Sequence, residues 1–490
     1  MAIAIASRRR LAIPVGFALA LLMFLLLPTT GSAAPGRSGA GSAKAQAQLP
    51  TDSYRASPGG LVPGTAYDYV PSVMEDRTYR MWWCGAPQGD TVPGDDIMYA
   101  EADSPGGPFR QQRSVFNGRS DGWDQHTCDP SVLRVNGIYY MFYGGIKDPF
   151  PSHRTEIGLA TSTDGVNWQR ANGGRPIISP SFDVNRPNKY GAGQPSAVYR
   201  DGKFSLLFTD TTGRGADDQG SGQFAWRSAD PTFQKGVEVF TADGWRPRTG
   251  DNDRSFSVVK GFSVDWQYSD ALDAFIVASN GPRQDGTVLH FLGGDDLRVH
   301  PYADGFVRGK WTEGPGLVSR PDKHARASST GNCGRIPLDL VQSTDTFPPR
   351  SPGRFGLDLL PGKACTALSP KRVGAIFEGY GIQVHGLPLT YVTGGRRLQF
   401  AKAEPYLHLT GQRIGVSSDT FHRIPYGASL QAGQKAVGTT GRPGAFLLDD
   451  RRLWPVDSEE LITSNGSSLT RISPATYDSY PVGPALRLRP

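Results

Sequence analysis

The chain has little that points to helical packing, metal chemistry or nucleotide handling. Apolar residues do not recur at helical spacing over any long stretch, which argues against a helix bundle. Only four cysteines occur in 490 residues. None forms a C-x-x-C pair, so zinc-ribbon and thioredoxin-like chemistry lack their ligands. A Gly-x-Ser-x-Gly elbow, a Walker loop and a dinucleotide fingerprint are all missing. No Lys/Arg-rich run stands out, which makes nucleic acid a poor partner. Beyond the N-terminal segment, no apolar run is long enough to span a bilayer.

That N-terminal segment reads as a targeting signal. Arg8, Arg9 and Arg10 precede an apolar run from Leu11 to Leu27, and small residues follow at Gly31 to Ala34. The pattern predicts a signal peptide over 1–33, cut after Ala33, with a weak twin-arginine flavour. A retained anchor is the alternative. Removing the signal leaves 49 basic against 46 acidic residues, so the basic balance of the whole chain comes partly from the leader. Export also explains the cysteines, since an even count in an oxidising compartment predicts two disulfides.

What is abundant is turn chemistry and aromatics: 61 Gly, 39 Pro and 50 Phe, Trp and Tyr together. Many short strands between turn signals mark an all-β fold. An internal repeat gives the architecture. Cys128-Asp129-Pro130-Ser131-Val132 runs through Asn136-Gly137 into Tyr139-Tyr140-Met141. The pattern is strand, tight turn, strand. It returns at Gln194-Pro195-Ser196 with Asp201-Gly202, at Asp265-Trp266, at Val70-Pro71-Ser72, and at Glu313-Gly314-Pro315 with a second strand over 336–341. A further hairpin follows each, and two hairpins make one propeller blade. The expectation is a five-bladed β-propeller over 54–397, behind a flexible linker over 34–53.

Sequence alone leaves three pairings of Cys84, Cys128, Cys333 and Cys365. Blade topology favours Cys84–Cys128, joining blades one and two. It also favours Cys333–Cys365, closing a Pro/Ser-rich insertion over 344–362. From 398 the blade pattern stops, and 406–421 aligns without a gap to 446–461. This duplicated module over 398–490 is read as an accessory or cell-wall attachment unit.

Acids at equivalent positions of a propeller converge on one axis. Asp68, Asp129, Gln194, Asp265 and Glu313 form the predicted polar ring, with His126, His153 and Trp123 on the same rim. Clustered carboxylates are the equipment for glycosidic hydrolysis, one protonated to assist departure and one ionised to activate water. Each has a plainer reading beside it: an Asp before Pro caps a turn, and Glu313 pairs with Arg320 or Lys323.

Asp129-Pro130-Ser131-Val132, Tyr139-Tyr140 and the segment Ile157 to Trp168 resemble the five-bladed enzymes of glycoside hydrolase family 43. Thr312-Glu313-Gly314-Pro315 resembles the segment that carries that family's general acid. The resemblance implies Asp68 as a displaced base, Asp129 as the residue tuning the acid, and Glu313 as the acid. Gln194, Asp265, His126 and Trp123 are the expected substrate contacts. The chain departs from the family pattern where Val70 and Gln194 stand in place of acids, and where Glu313 falls on blade five. The expected function is a secreted, monomeric glycoside hydrolase acting on furanoside or xyloside linkages of cell-wall polysaccharide. A glycan-binding propeller without activity is the alternative. No cofactor is called for, although an ion on the axis is compatible with the pattern.

Overall fold

A computed structural model describes residues 46–62, 65–87, 95–147, 154–250, 253–345 and 352–488. The expected signal peptide and His153 lie outside them. The end of the expected linker is tied down: Ala47 bridges to Tyr302, and Thr51–Ser57 is a strand.

The described chain is mainly β-structure, laid out as successive antiparallel meanders. The first comprises Thr65–Glu75, Tyr79–Pro87, Asp96–Ala102 and Arg110–Phe116. The second runs His126–Val135, Ile138–Ile146, Glu156–Ser162 and Gln169–Arg170. The third begins at Ala192–Arg200 and ends at Gly244–Pro247, and the fourth spans Val264–Ser269 to Gly305–Arg308. The fifth is Gly316–Ser319, Ile336–Gln342 and Gly353–Leu359, and its outer strand is Thr51–Ser57 from the start of the chain. The chain's first strand thus completes its last meander. The first and fifth meanders also meet directly, through a parallel pairing of Val318 with Val73 and Ser319 with Met74.

Local chemistry explains the hairpins. Asn136-Gly137 and Asp201-Gly202 have φ of 52° and 83°, and 50° and 79°, the left-handed pairs that a two-residue turn of matching twist requires. The flanking strands are β-branched and aromatic, suited to a pleated, half-buried surface.

The repeat is locked by one hydrogen bond used four times. The Val132 N–H donates to Ser72 Oγ at 3.0 Å, Ala197 N–H to Ser131 Oγ at 2.9 Å, and Trp266 N–H to Ser196 Oγ at 3.1 Å. Leu317 N–H then donates to Asp265 Oδ2 at 2.7 Å. Each first strand therefore hangs on the one before it. This ladder corrects the sequence alignment: Asp265 occupies the position of Ser72, Ser131 and Ser196, not that of Asp129. By the same count Gly314, not Glu313, is the counterpart of Asp129.

Two residues ahead of each serine sit Val70, Asp129 and Gln194, each followed by proline. Each lies at a break in strand register and has φ near 50° (48°, 51° and 50°). A bulge leaves one residue outside the ladder, which suits a following proline that has no N–H to donate. Left-handed backbone at a non-glycine residue carries strain, most of all at β-branched Val70.

Packing between meanders is aromatic and aliphatic. Met74, Trp82, Tyr139 and Tyr143 fill the first gap, Phe142, Phe204, Phe208 and Phe233 the second, and Trp266 and Phe275 the third. Full burial of such side chains contributes about 1.5–3 kcal/mol each.

Asp265 is held from below. The segment 320–324 hydrogen-bonds to three first strands: Arg134 N–H to Pro321 O, Tyr199 N–H to Asp322 O, and Tyr268 N–H to Lys323 O. From it Lys323 reaches up to Asp265, with Nζ 2.7 and 2.8 Å from the two oxygens. Lys323 is 1% exposed.

The C-terminal region forms two mixed sheets with short helices. One sheet joins Gly381–Gln383, Leu389–Thr393 and Arg396–Phe400 to Tyr426–Leu430, so it runs across the boundary expected at 398. The proposed duplication holds in its second half only. Arg413–Gly415 and Leu453–Pro455 are both strands followed by a serine-capped helix. Tyr406, however, is helical where Phe446 is in a strand. The Pro/Ser-rich stretch is likewise no simple insertion, since it contains the strand Gly353–Leu359.

Disulfides link Cys84 to Cys128 and Cys333 to Cys365, and no described cysteine is free. Two disulfides fit an oxidising compartment. No described helix is long and apolar enough to cross a membrane. Cys84–Cys128 ties the first two meanders across 44 residues. Replacing both by serine is expected to cost about 2–4 kcal/mol, read as a lower urea midpoint, with an m-value that rises as the denatured chain loses its cross-link. An unchanged midpoint would contradict this.

Candidate active site

The starts of the first strands carry the acids. Asp129 is 2% exposed. Tyr190 Oη donates to its Oδ2 at 2.8 Å, and the Gln194 backbone N–H donates to the same carboxyl. Burial nevertheless dominates, and with the Asp95 carboxylate nearby it pushes Asp129 up to about 7. Glu313 is 8% exposed and makes no hydrogen bond or ion pair among the described residues. Burial, then Asp129 and then Asp95, push it up to about 8. Asp129 is thus the largest charge influence on Glu313, and at neutral pH Glu313 is a protonated acid.

The alternative pairings of Glu313 do not form. Arg320 goes to Asp270 and Asp322, and Lys323 to Asp265.

Asp68 lies at the same end. It is buried, and Trp83 Nε1 donates to its Oδ1 at 2.7 Å. Ser343 connects it to the segment that carries Glu313: the Ser343 hydroxyl donates to the Asp68 carbonyl, and Thr312 N–H donates to the Ser343 carbonyl at 2.8 Å. Tyr69, Val70 and the Cys84–Cys128 disulfide form an apolar patch beside Asp129. That patch contributes to the desolvation that keeps the carboxyls protonated.

Glycines make room for this packing. A Cβ at Gly193 would lie 2.5 Å from Tyr190 Oη, and one at Gly144 would lie 3.1 Å from Asp129 Oδ2.

Gln194 repeats the Asp129 bulge in the next meander. Its side chain is buried, and Oε1 has no partner among the described residues. Such an acceptor is costly unless a ligand or water answers it.

Two expected contacts change in character, and the role expected of a third stays a proposal. Asp265 is consumed by Lys323, Ser196 and Leu317 N–H, a structural latch beneath the site. Trp123 stacks on Tyr143 at 5.8 Å and donates Nε1 to the Gly174 carbonyl, so it braces the second meander. His126 is half-buried at its strand start, opposite Ile146.

Two residues escaped sequence reasoning. Asp95 immediately precedes the third strand of the first meander, and Tyr190 precedes the first strand of the third. Neither lies in the repeated strand start, and only the glycines around Tyr190 hinted at close packing. The Asp95 carboxylate and the two sulfurs of Cys84 and Cys128 lie within 4.8 Å of one another. Because the sulfurs are bonded to each other, they offer no thiolate to a metal.

No family model and no curated protein matches the chain. Solved structures similar to it include Zg3597, a family 117 glycoside hydrolase of Zobellia galactanivorans, at 12% identity and a TM-score of 0.45. The match covers 64% of this chain and 93% of that one. A GH43_1 enzyme from Xanthomonas citri follows at 11% identity and 0.40, over 62% of this chain and 89% of that one. The catalytic domain of a Coprinopsis cinerea GH62 α-L-arabinofuranosidase gives 12% and 0.37, over 63% and 97%. At such identities the roles of individual side chains rest on this chain's own geometry.

Proposed function

We propose that the chain is an exported, five-bladed propeller glycoside hydrolase with a C-terminal accessory unit. The single observation that carries the reading is Glu313: a buried carboxyl with no hydrogen-bond partner among the described residues, raised to about 8 beside Asp129. A structural acid is normally paired. An unpaired, protonated one is poised to donate to a leaving oxygen. In this scheme Glu313 protonates the glycosidic oxygen; burial keeps it protonated, and like-charge repulsion adds to this once Asp129 ionises near 7. Asp68, oriented by the Trp83 indole, is the base that activates water. The Gln194 carboxamide accepts from a sugar hydroxyl. The proposed substrates are furanoside or xyloside linkages of cell-wall polysaccharide.

The test is assay of the purified protein on arabinofuranoside, xyloside and arabinogalactan panels. Turnover on at least one, lost in the Glu313→Gln variant, is expected. If the protein binds oligosaccharide yet hydrolyses none, it is a glycan-binding propeller instead.

A further inference from the structure

A polar cavity lies at the other end of the first strands, where the C-terminal unit meets the propeller base. Its volume is about 290 Å³, and its walls come from both parts of the chain. The Asn136–Gly137 turn and Tyr199 belong to the second and third meanders. Glu378, Tyr391 and Arg487 belong to the C-terminal unit. Ligand sites favour such junctions between structural units.

The charges around this cavity do not cancel. Arg134 is answered by Asp76 at 3.3 Å, and Arg320 by Asp270 and Asp322 at 3.3 and 3.0 Å. Glu378 accepts from the backbone N–H groups of Gly394 and Gly395, and burial pushes its carboxyl up, toward the neutral form. Arg487 alone among these groups has no ion pair or hydrogen bond among the described residues. Its side chain lies along Gly137, where an added Cβ would sit 3.1 Å from its Cδ and Nη1. A second donor is also left over: Arg134 Nε is buried without a partner.

We infer that this cavity binds a saccharide residue bearing a carboxylate, a uronic acid, with Arg487 holding the carboxylate. A guanidinium fork matches a carboxylate bidentately. The phenol rings of Tyr199 and Tyr391 and the Asn136 amide supply the mixture of flat apolar and hydrogen-bonding surface that a sugar ring needs. The site is separate from the acids at the other end of the first strands, and the inference does not depend on the proposed hydrolysis. It gives the C-terminal unit a task, namely retention of the protein on acidic polysaccharide.

The test is calorimetric titration of the full mature protein with trigalacturonate, with its methyl ester and with inorganic phosphate. The Arg487 side chain is only half-buried and makes no hydrogen bond or ion pair among the described residues, so its replacement leaves the strands intact. Saturable binding of the acid is expected, weakened about tenfold or more in Arg487→Ala and only partly restored in Arg487→Lys, which keeps the charge but not the fork. The methyl ester should bind the wild type as weakly as the acid binds Arg487→Ala. Binding that is equal in wild type and Arg487→Ala, or equal for acid and ester, would overturn the inference. So would an absence of saturation, or phosphate binding as tightly with the same Arg487 dependence. Glu313→Gln should bind trigalacturonate as the wild type does; a loss there would place the sugar at the other end.

Discussion

Replacing Glu313 by glutamine is expected to lower kcat/KM by about 10²–10⁴, the usual contribution of a general acid, while making the fold more stable at alkaline pH. The two effects share one cause. The carboxyl is raised from 4.5 to about 8 because its environment disfavours the charged form. In the unfolded chain the same group ionises near 4.3. The folded protein therefore holds the proton more tightly, and this favours folding fully only below about pH 4. That stability is lost progressively as pH rises from there to about 8, and the deficit is constant above. Glutamine does not ionise and escapes the loss. The variant should match wild type at pH 4 and exceed it by up to about 5 kcal/mol at pH 9, measured by urea unfolding at both pH values. Activity of the wild type should fall on the alkaline side as Glu313 loses its proton. A variant that is inactive and also less stable at pH 9 would mean that Glu313 is a structural residue.

Lys323→Met should be the most destabilising single change in the propeller base, at about 3–5 kcal/mol, because it leaves a buried carboxylate without its counter-charge. The other meanders suggest the remedy. Where Asp265 stands, the first three carry serine and make the same inter-strand hydrogen bond without any charge. Lys323→Met combined with Asp265→Ser should therefore recover most of the loss, leaving the double variant within about 1–2 kcal/mol of wild type. Additive losses would show that Lys323 acts through packing of its stem rather than through Asp265.

The repeat was readable because its turns and bulges have strict chemistry. Asn-Gly and Asp-Gly specify left-handed turns, and Pro-Ser marks the bulge at the residue before it, whether Val70, Asp129 or Gln194. Asp265 misled for the opposite reason. It is an acid at a strand start, but the fourth meander has no proline there, and only the hydrogen bond from Leu317 shows which position it fills. Glu313 was legible through Glu-Gly-Pro even though its alignment was off by one residue. Asp95 and Tyr190 were not legible, since they come from segments outside the repeated strand and meet Asp129 only in the folded chain. Trp123 shows the limit of composition: an aromatic on the correct rim is as easily a brace as a sugar platform.

The most direct test of the central claim needs no substrate. Isotope-edited infrared titration, comparing wild type with Glu313→Gln, reports the protonated carboxyl itself. A protonated carboxyl present at pH 6, absent from the glutamine variant, and titrating with a midpoint near 8 is the expected result. A difference spectrum with no protonated carboxyl at pH 6 would contradict the assignment of Glu313 as the acid.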